Sequence, residues 1–502
     1  MNADDARQVG EKILASMADH TVAEHKFSKK NQVKTLASAT HIKTPSGEPI
    51  ELDPQVLYQR FIVTGIDKMP LPELLDHELC AFPPSLFDNN MRMRVGDKAE
   101  LIHQLLKTAP SCIVALNLIP DLYFIIDAGR LLHRFTWPKH STYSSISGMY
   151  VRHIHKNYHD DALVVFDGYL EASTKDEVHR RRQGLEVGAS VSVARDLQTT
   201  MSKKAFLANP SNKQALINLL SEDMQESGIS TVHAEGDADY KIAMLACTSA
   251  LTRPTASVAD DTDIFQLMVN HAPIGPNSKP LYMLTESRAI CISLLKRCLD
   301  PVLCASLFFI HGISGCDTTS RPFGIGKGTV LSKYKALAEY APVFMSESSS
   351  KEDIESAGQK ALLVMYGSKS KDLNTARAEI FQVKVATSSG IVSPEKLPPT
   401  ADAAALHSLR VYHQVQAWRG VDLRPEYWGW KRTDSGFVPI RLTKAAAPEH
   451  LLKIIRCNCG GKCDSKRCTC HKNGLMCTAA CGQCKGITCS NRHPVTTEED
   501  IE

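Results

Sequence analysis

The sequence predicts an α/β fold with a parallel central sheet flanked by helices, followed by a small cysteine-rich domain. Short apolar runs between residues 116 and 345 each end at an acidic residue, and segments with helical periodicity separate them. Strands that alternate with helices are typical of parallel sheets, whose strands are buried on both faces and therefore read as continuous apolar runs. Nine of the sixteen cysteines lie between Cys457 and Cys489, which indicates a separate domain.

The predicted strands place acidic residues at one edge of the sheet. In α/β folds the ligand site lies at the carboxyl ends of the parallel strands, so acids at those ends are candidates for a functional site. Residues 122–126 precede Asp127, residues 162–166 precede Asp167, residues 255–259 precede Asp260 and Asp261, and residues 238–251 have the apolar spacing of a helix.

The composition is that of a multidomain chain in a reducing compartment. Its 502 residues allow roughly two to four folded units. The 58 basic and 55 acidic residues give a net charge of only +3, so affinity for a polyanion must come from local clusters. The N-terminus does not have the basic and apolar segments of a leader, and no stretch approaches the roughly 18 apolar residues of a membrane span. We expect a nuclear or cytoplasmic protein, with the nucleus favoured, that does not bind membranes.

Changes in composition and in the pattern of apolar residues along the sequence predict five segments. Residues 1–115 form an extension to which the sequence gives no chemistry, and residues 116–345 form the α/β domain. Residues 346–455 form a helical extension and linker, in which the Ser-, Pro- and Ala-rich residues 388–405 are predicted to be a connector. Residues 456–492 form the cysteine-rich domain, and residues 493–502 form an acidic tail.

Seven aspartates form the main candidate site of the α/β domain. Hard cations such as Mg²⁺ and Mn²⁺ take carboxylate oxygens, and a two-metal phosphodiesterase site needs several carboxylates around ions roughly 4 Å apart. Carboxylates that share a pocket repel one another, so cations are the expected means of holding them together. Any one of these residues taken alone could instead be a helix N-cap. The seven are Asp127, Asp167, Asp237, Asp239, Asp261, Asp263 and Asp317.

The order of these acids resembles that of the flap-endonuclease and 5′-exonuclease group of the PIN-like nuclease superfamily, over roughly residues 120 to 345. In that group two acids follow strands, an acid-x-acid pair opens a helix, a second pair follows a strand, and a Gly-x-Asp precedes a glycine-rich hairpin. The resemblance implies a PIN-like fold in which the seven aspartates bind the metals. The family usually has glutamate in the first pair, so Glu235 remains an alternative to one of Asp237 and Asp239.

The same resemblance implies which groups bind nucleic acid. Lys175 and Arg181 lie where the family carries the cations that orient the scissile phosphate, with Arg180 and Arg182 beside them. A solvated helix face is the alternative reading of this basic run. The glycine-rich hairpin corresponds to Gly324, Gly326 and Lys327, where glycines let backbone N–H groups approach a phosphate.

The cysteine spacing predicts a zinc cluster. Nine thiolates give two isolated tetrahedral zinc sites with one cysteine left over, whereas three bridging thiolates would fill about three sites. With nine cysteines present, His471 is more simply read as a surface residue. The nine cysteines are Cys457, Cys459, Cys463, Cys468, Cys470, Cys477, Cys481, Cys484 and Cys489.

This tail resembles the tesmin/TSO1-like CXC domain. The similarity lies in Cys468-x-Cys470, in the following Lys472-x-Gly474 and in the closing Cys489-Ser490-Asn491, although the loop after Cys459 is one residue shorter than usual. The resemblance implies DNA contact at Arg467, which directly precedes the second Cys-x-Cys, and the neighbouring Lys466 is a further candidate for binding nucleic acid. Compensation of the cluster's negative charge is the alternative role for these residues.

Two functions therefore remain open from the sequence. The first is a structure-selective nuclease that uses Mg²⁺ or Mn²⁺ to cleave DNA, with RNA as an alternative substrate, and that is tethered by the zinc module. The second is a catalytically inactive DNA-binding or scaffold protein that retains the nuclease fold. The combination of domains also resembles multicopy animal proteins of mobile-element type, a similarity that carries no activity with it.

Overall fold

The computed structural model describes most of the chain, and its described residues divide into two units. One unit is Met93–Lys444, and the other combines the described parts of Met1–Arg92 and Ala445–Glu502. The predicted boundaries at 115 and 455 therefore differ from the observed ones. The described residues are 6–17, 40–43, 49–52, 54–115, 121–168, 173–175, 188–286, 288–387, 392–434, 436–478, 481, 483–484, 486 and 489–491.

The secondary structure alternates strands and helices through the middle of the chain. The strands are β1 Thr40–Lys43, β2 Pro49–Leu52, β3 Ile113–Val114, β4 Tyr123–Asp127, β5 Leu163–Phe166, β6 Ser230–His233, β7 Thr255–Val258, β8 Leu281–Leu284, β9 Ala289–Cys291, β10 Trp430–Thr433 and β11 Gly436–Pro439. The helices are α1 Ala6–Met17, α2 Pro54–Gly65, α3 Leu71–Leu74, α4 Ala99–Thr108, α5 Ala128–Arg134, α6 Tyr143–Tyr158, α7 Lys203–Ala208, α8 Pro210–Glu226, α9 Asp239–Ser249, α10 Thr262–His271, α11 Ile292–Cys298, α12 Pro301–Ile313, α13 Lys327–Leu331, α14 Tyr334–Leu337, α15 Ala341–Met345, α16 Lys351–Tyr366, α17 Leu373–Thr387, α18 Ala401–Trp418, α19 Glu449–Leu452 and α20 Thr469–Lys472.

The larger unit is built on a seven-stranded sheet in the order β3-β9-β8-β7-β4-β5-β6. The five strands from β8 to β6 run parallel, which confirms the predicted α/β class. At the other edge β9 is antiparallel to β8, and β3 is antiparallel to β9. Only four residues separate β8 from β9, and so short a connection can join antiparallel but not parallel neighbours.

The central strands are buried on both faces of the sheet. In β4, Ile125 packs into one apolar cluster, whereas Phe124 and Ile126 pack into another. Successive side chains of a strand point to opposite faces, so these two clusters are the cores above and below the sheet. This two-sided burial explains why the strand sequences read as unbroken apolar runs rather than as alternating patterns.

The residues after 345 belong largely to the same unit and do not form a linker. The predicted connector 388–405 is wrong for its last five residues, because α18 begins at Ala401. The hydroxyl of Thr400 accepts a hydrogen bond from the Ala403 N–H at 3.4 Å and caps this helix. Helix α18 is buried along most of its length and shares its apolar cluster with α12 and α16. The helical extension therefore completes the core of the larger unit.

The smaller unit joins segments from both parts of the sequence. It contains the antiparallel pair β1–β2, helices α2 and α3, and the cysteine-rich segment with α20. Across the described ranges, none of the helices combines the length and the hydropathy that crossing a bilayer requires.

Candidate functional site

Two of the predicted acids end neighbouring parallel strands. Asp127 is the last residue of β4, and Asp167 follows β5, its neighbour in the sheet. The Asp127 carboxylate accepts a hydrogen bond from the Gly129 N–H at 2.7 Å, and the Asp167 carboxylate accepts one from the Ala238 N–H at 3.1 Å. A Cβ atom at Gly129 would lie 3.0 Å from Asp127 Oδ1 and 3.7 Å from Asp167 Oδ2. Both carboxylates therefore face the same small space.

Asp261 and Asp263 follow β7, the strand on the other side of β4. Asp261 is the N-cap of α10, and its carboxylate accepts a hydrogen bond from the Asp263 N–H at 2.8 Å. The Asp263 side chain is only 1% exposed and accepts a hydrogen bond from His311 Nε2 at 3.1 Å. One carboxylate oxygen each from Asp239, Asp261 and Asp263 lies within 4.8 Å of the other two. A single cation can therefore bridge these three side chains.

The ammonium group of Lys98 lies among three of the acids. Its Nζ atom is 2.9 Å from Asp317 Oδ2, 3.1 Å from Asp261 Oδ1 and 3.3 Å from Asp263 Oδ2. Burial alone would lower the pKa of Lys98, but these three carboxylates raise it above its usual range. Lys98 therefore remains charged at neutral pH. It directly precedes α4 and lies in the stretch to which the sequence assigned no chemistry.

Lys175 occupies a matching position beside the other acid pair. Its Nζ atom contacts the Asp237 carboxylate and lies 2.6 Å from Asp239 Oδ2. Burial alone would lower the pKa of Lys175, but Asp237 and Asp239 raise it well above its usual range. Glu235, the alternative member of this pair, is exposed. The two ion pairs identify Asp237 and Asp239 as the acids that face Lys175.

The pKa values of Asp127, Asp239 and Asp263 are shifted by burial and by neighbouring charged groups of the same cluster. Burial and the neighbouring Asp167 raise the pKa of Asp127 to about 7, and Asp261 adds to that rise. Burial and the neighbouring Asp237 raise the pKa of Asp239. Burial would also raise the pKa of Asp263, but Lys98 and His311 hold it below its usual range. The seven acids predicted from the sequence therefore meet at the carboxyl edge of the sheet.

The chemistry of this cluster fits a hard divalent ion. Carboxylate oxygens are the ligands that Mg²⁺ and Mn²⁺ take in proteins, and the acids outnumber the two lysines that face them. The raised pKa of Asp127 shows that the cluster would take up a positive charge near neutral pH, which a bound divalent ion can supply in place of a proton. The residues with the closest oxygen spacing for such an ion are Asp239, Asp261 and Asp263.

The raised pKa of Asp127 predicts a pH-dependent cost to stability when divalent ions are removed. The folded pKa of about 7 exceeds the ordinary value of 3.8, so the unfolded carboxyl ionises first and stability falls as the pH rises between these values. In a chelator, Asp127→Asn should therefore raise the melting temperature clearly at about pH 8 and less at about pH 5. Thermal unfolding of both proteins at the two pH values measures this difference. An equal gain at both pH values would contradict it.

Part of the predicted phosphate-binding segment lies outside the described residues. Arg180, Arg181 and Arg182 fall there, so their roles remain predictions. Of that segment, Lys175 is described and faces the acid cluster. In the glycine-rich hairpin, a Cβ atom at Gly324 or Gly326 would meet nothing within 4 Å, so both backbones border open space.

Lys327 does not have the surface position predicted for a nucleic-acid contact. It is 2% exposed, and its Nζ atom donates hydrogen bonds to the His311 and Gly315 carbonyls at 2.8 and 2.7 Å and to Ser314 Oγ at 2.9 Å. Burial lowers the pKa of Lys327 to about 7. Its acceptors lie at the C-terminal end of α12, where carbonyl groups are not satisfied within the helix. The side chain therefore ties α13 to α12 and does not project into solvent.

The nine tail cysteines gather into one buried cluster, and none of them forms a disulfide. Each belongs to at least one set of four whose sulfur atoms lie within 4.8 Å of one another. Cys457 and Cys477 each belong to three such sets. Shared membership is the arrangement that bridging thiolates produce, and it allows the cluster to hold several zinc ions.

The basic residues around the cluster are on its surface. Lys466 and Arg467 are exposed, as contact with a polyanion requires, and so is His471. His471 belongs to none of the sets of metal-ligand atoms found among the described residues. This placement agrees with its reading as a surface residue.

Arg60 of α2 connects the cysteine cluster to the N-terminal part of the chain. Its guanidinium is 6% exposed and donates to the Ile455 carbonyl at 3.0 Å, to the Met476 carbonyl at 2.7 Å and to Cys470 Sγ at 3.3 Å. Lys68 adds an exposed hydrogen bond of 2.7 Å to Asn473 Oδ1. A buried guanidinium against a thiolate offsets the cluster's negative charge. The cysteine-rich segment is therefore part of a larger folded unit.

Sequence reasoning missed Lys98, His311 and Arg60. A lone lysine, histidine or arginine outside any motif gives no local signal, since its partners lie far away in the chain. For Lys98 the separation from Asp317 is 219 residues, and for Arg60 the separation from Cys470 is 410 residues. Only the tertiary fold brings these groups together.

Comparison with known proteins gives a partial family match and similarities to solved structures. Residues 1–78 match a family described as a domain of unknown function, DUF8702. Among curated protein sequences, none matches the chain. Two structures of the catalytic core of Rad2 in complex with DNA substrate each share 16% sequence identity with it. One, complex IV, covers 70% of this chain and 97% of its own with a TM-score of 0.34; the other, complex III, covers 64% and 95% with a TM-score of 0.31.

Proposed function

We propose that this protein is a divalent-metal-dependent nuclease that cleaves DNA in a structure-selective way. The proposal is carried by one observation, the convergence of seven carboxylates and two lysine ammonium groups at the carboxyl edge of a parallel sheet. Such a set of oxygens is what a phosphodiesterase needs to hold metal ions beside a phosphate. A folded core does not require this many adjacent carboxylates, because burying like charges together costs stability.

The acids and lysines have distinct proposed roles. Asp239, Asp261 and Asp263, with Asp127, Asp167, Asp237 and Asp317 around them, would hold Mg²⁺ or Mn²⁺, and a bound ion would supply an activated water and offset charge on the leaving oxygen. An ammonium group has three N–H donors, and Asp237 and Asp239 accept two of those of Lys175. The third can donate to a phosphate oxygen, and Arg181 is proposed to join it there.

The cysteine cluster is the proposed tether to DNA. About three zinc ions would order the nine thiolates, and the exposed Lys466 and Arg467 would then contact the phosphate backbone. Gly324 and Gly326, whose backbones border open space, are proposed to bring backbone N–H groups to the duplex. A nuclear location follows as part of the same proposal.

A second function, a scaffold that binds DNA without cutting it, has one observation in its favour. Lys98 and Lys175 together pair with five of the seven acids, so part of the site is balanced in charge by the chain itself. Such pairing would stabilise an acid cluster that no longer holds metal. This candidate predicts binding without cleavage.

The deciding experiment is a cleavage assay on the full, zinc-loaded chain. Labelled flap, hairpin and single-stranded DNA, and single-stranded RNA of the same sequence, are incubated with Mg²⁺, with Mn²⁺ or with a chelator. We expect cleavage of DNA in either metal and none in the chelator, with the flap or hairpin cut faster than the single strand. DNA binding without cleavage in every condition would favour the scaffold. Faster cleavage of RNA would overturn the assignment of DNA as the substrate.

A further inference from the structure

We propose that the ammonium group of Lys98 stands in for one cation of the acid cluster, so that a divalent ion binds Asp261 and Asp263 only by displacing it. This inference rests on the proposed metal site and adds a residue of this chain that controls its occupancy. Three carboxylates converge on the single Nζ atom of Lys98 at 2.9 to 3.3 Å. Two of its three N–H donors hydrogen-bond to Asp261 and Asp317, and the Asp263 carboxylate lies within ion-pair distance of the same nitrogen.

Lys98 shares its partners with the place where a metal fits best. Asp261 and Asp263 both contact Lys98, and both belong to the set of oxygens that includes Asp239. A divalent ion draws carboxylate oxygens to about 2.0 to 2.2 Å, closer than any ammonium contact, and repels a neighbouring ammonium. The ion and Lys98 therefore compete for the same two carboxylates.

The backbone before Lys98 is fixed by close contacts with the loop that carries Asp317. The Arg94 carbonyl accepts a hydrogen bond from the Arg321 N–H at 2.8 Å. A Cβ atom at Gly96 would lie only 2.7 Å from the Gly315 carbonyl oxygen, so only a residue without a side chain allows this approach. These contacts join residues 94–98 to the loop that carries Asp317. Lys98 is thereby built into the site.

The two cations differ in what they can do for the site. An ammonium group holds the acids together but has no open coordination position for water, whereas a divalent ion has one. Lys98 would therefore keep the carboxylates in place when metal is scarce. The ion pairs that it makes must be broken before metal binds, which weakens the apparent affinity.

The test is binding of Mn²⁺ to the full, zinc-saturated chain, measured by titration with electron paramagnetic resonance of the free ion. Lys98→Met should bind Mn²⁺ at least about tenfold more tightly than the unchanged protein, or bind one additional ion. Lys98→Arg keeps the charge and should stay near the unchanged value. Equal or weaker binding by Lys98→Met would overturn the inference, since a lysine that only orders the acids for metal would give that result.

A matched control removes a lysine of the same unit whose ammonium group donates to backbone carbonyls. Lys296 Nζ donates to the Asn270 and Ala272 carbonyls at 2.6 and 2.8 Å, so Lys296→Met should leave Mn²⁺ affinity unchanged. If neither the unchanged protein nor Lys98→Met bound Mn²⁺, the result would contradict the proposed metal site and, with it, the proposed nuclease function. Equal Mn²⁺ binding by the unchanged protein and Lys98→Met would contradict only the proposed role of Lys98.

A second measurement needs no variant and holds even if Lys98→Met does not fold. Acetic anhydride acylates the neutral, accessible form of an amine, which ion pairs with carboxylates suppress, and mass spectrometry reports the labelling of each lysine. Saturating Mn²⁺ should raise the labelling of Lys98 at least about twofold, because the ion displaces its ammonium from the acids. Labelling that stays level or falls while Mn²⁺ binds would contradict displacement.

Discussion

Replacing Asp261 with asparagine is expected to lower the rate of DNA cleavage by at least about a hundredfold, because a carboxylate proposed to hold the metal ion beside the reacting phosphate is lost. The substitution removes the charge of the side chain but preserves the hydrogen bond that starts the helix. Asparagine is as good an N-cap as aspartate, so its side-chain oxygen can still accept the hydrogen bond from the Asp263 N–H at the start of α10. The measurement is single-turnover cleavage of the preferred substrate at saturating Mg²⁺, with the melting temperature recorded alongside.

Asp300 offers a control that is matched in structure. It is the N-cap of α12, where its carboxylate accepts a hydrogen bond from the Val302 N–H at 2.8 Å. Asp300→Asn therefore makes the same chemical change at the same kind of helix start, but outside the acid cluster. It should cleave DNA at the rate of the unchanged protein. If the two variants lost activity equally, the acid cluster would not be the site of cleavage.

Replacing Arg60 with methionine should destabilise the smaller unit by about 3 kcal/mol and weaken the binding of the zinc proposed for its cysteine cluster. The change leaves the Ile455 and Met476 carbonyls without their buried donor and takes a positive charge away from Cys470. Unfolding in denaturant, followed by a probe in the cysteine-rich segment, measures the first effect. Release of zinc to a chromogenic chelator measures the second.

Lys68 provides the comparison for Arg60. It makes the exposed hydrogen bond to Asn473 between the same two segments, so Lys68→Met also removes a basic side chain that joins them. Exposed contacts of this kind contribute less than about 1 kcal/mol. A loss of stability as large as that of Arg60→Met would show that the buried guanidinium is not the important link. Unchanged zinc release in Arg60→Met would show that the cluster does not depend on it.

Strand burial made much of the acid cluster predictable from sequence. Each of β4, β5 and β7 is a short apolar run, and the acid that follows it lies at the same edge of the sheet because these strands are parallel. Asp127, Asp167 and Asp261 are far apart in the sequence, but they lie close together because their strands end at the same edge of the sheet. The lysines were not predictable in this way, because no strand or motif places Lys98.

The helical extension, in contrast to the acid cluster, was only partly predictable from the sequence. Helix α18 is buried around most of its circumference, and its buried residues include polar ones such as His407, Arg410 and Gln416. These side chains hydrogen-bond to backbone carbonyls of other elements, as Gln416 does with Phe344 at 2.8 Å. A helix with buried polar residues has no clean apolar stripe, and periodicity alone does not reveal it. The start of the helix, residues 401–405, is rich in alanine, and this composition is what predicts a connector there.

The assembly of the smaller unit from both parts of the sequence sets an order of events during synthesis. A ribosome completes the residues of the larger unit before it reaches Ala445, so that unit can fold on the growing chain. Helix α2 leaves the ribosome early, yet the partners of Arg60 are translated hundreds of residues later. Until then its arginine has no carbonyl or thiolate to meet. Assembly of the cysteine-rich part of this unit is thus a late step that waits for the final cysteines to emerge.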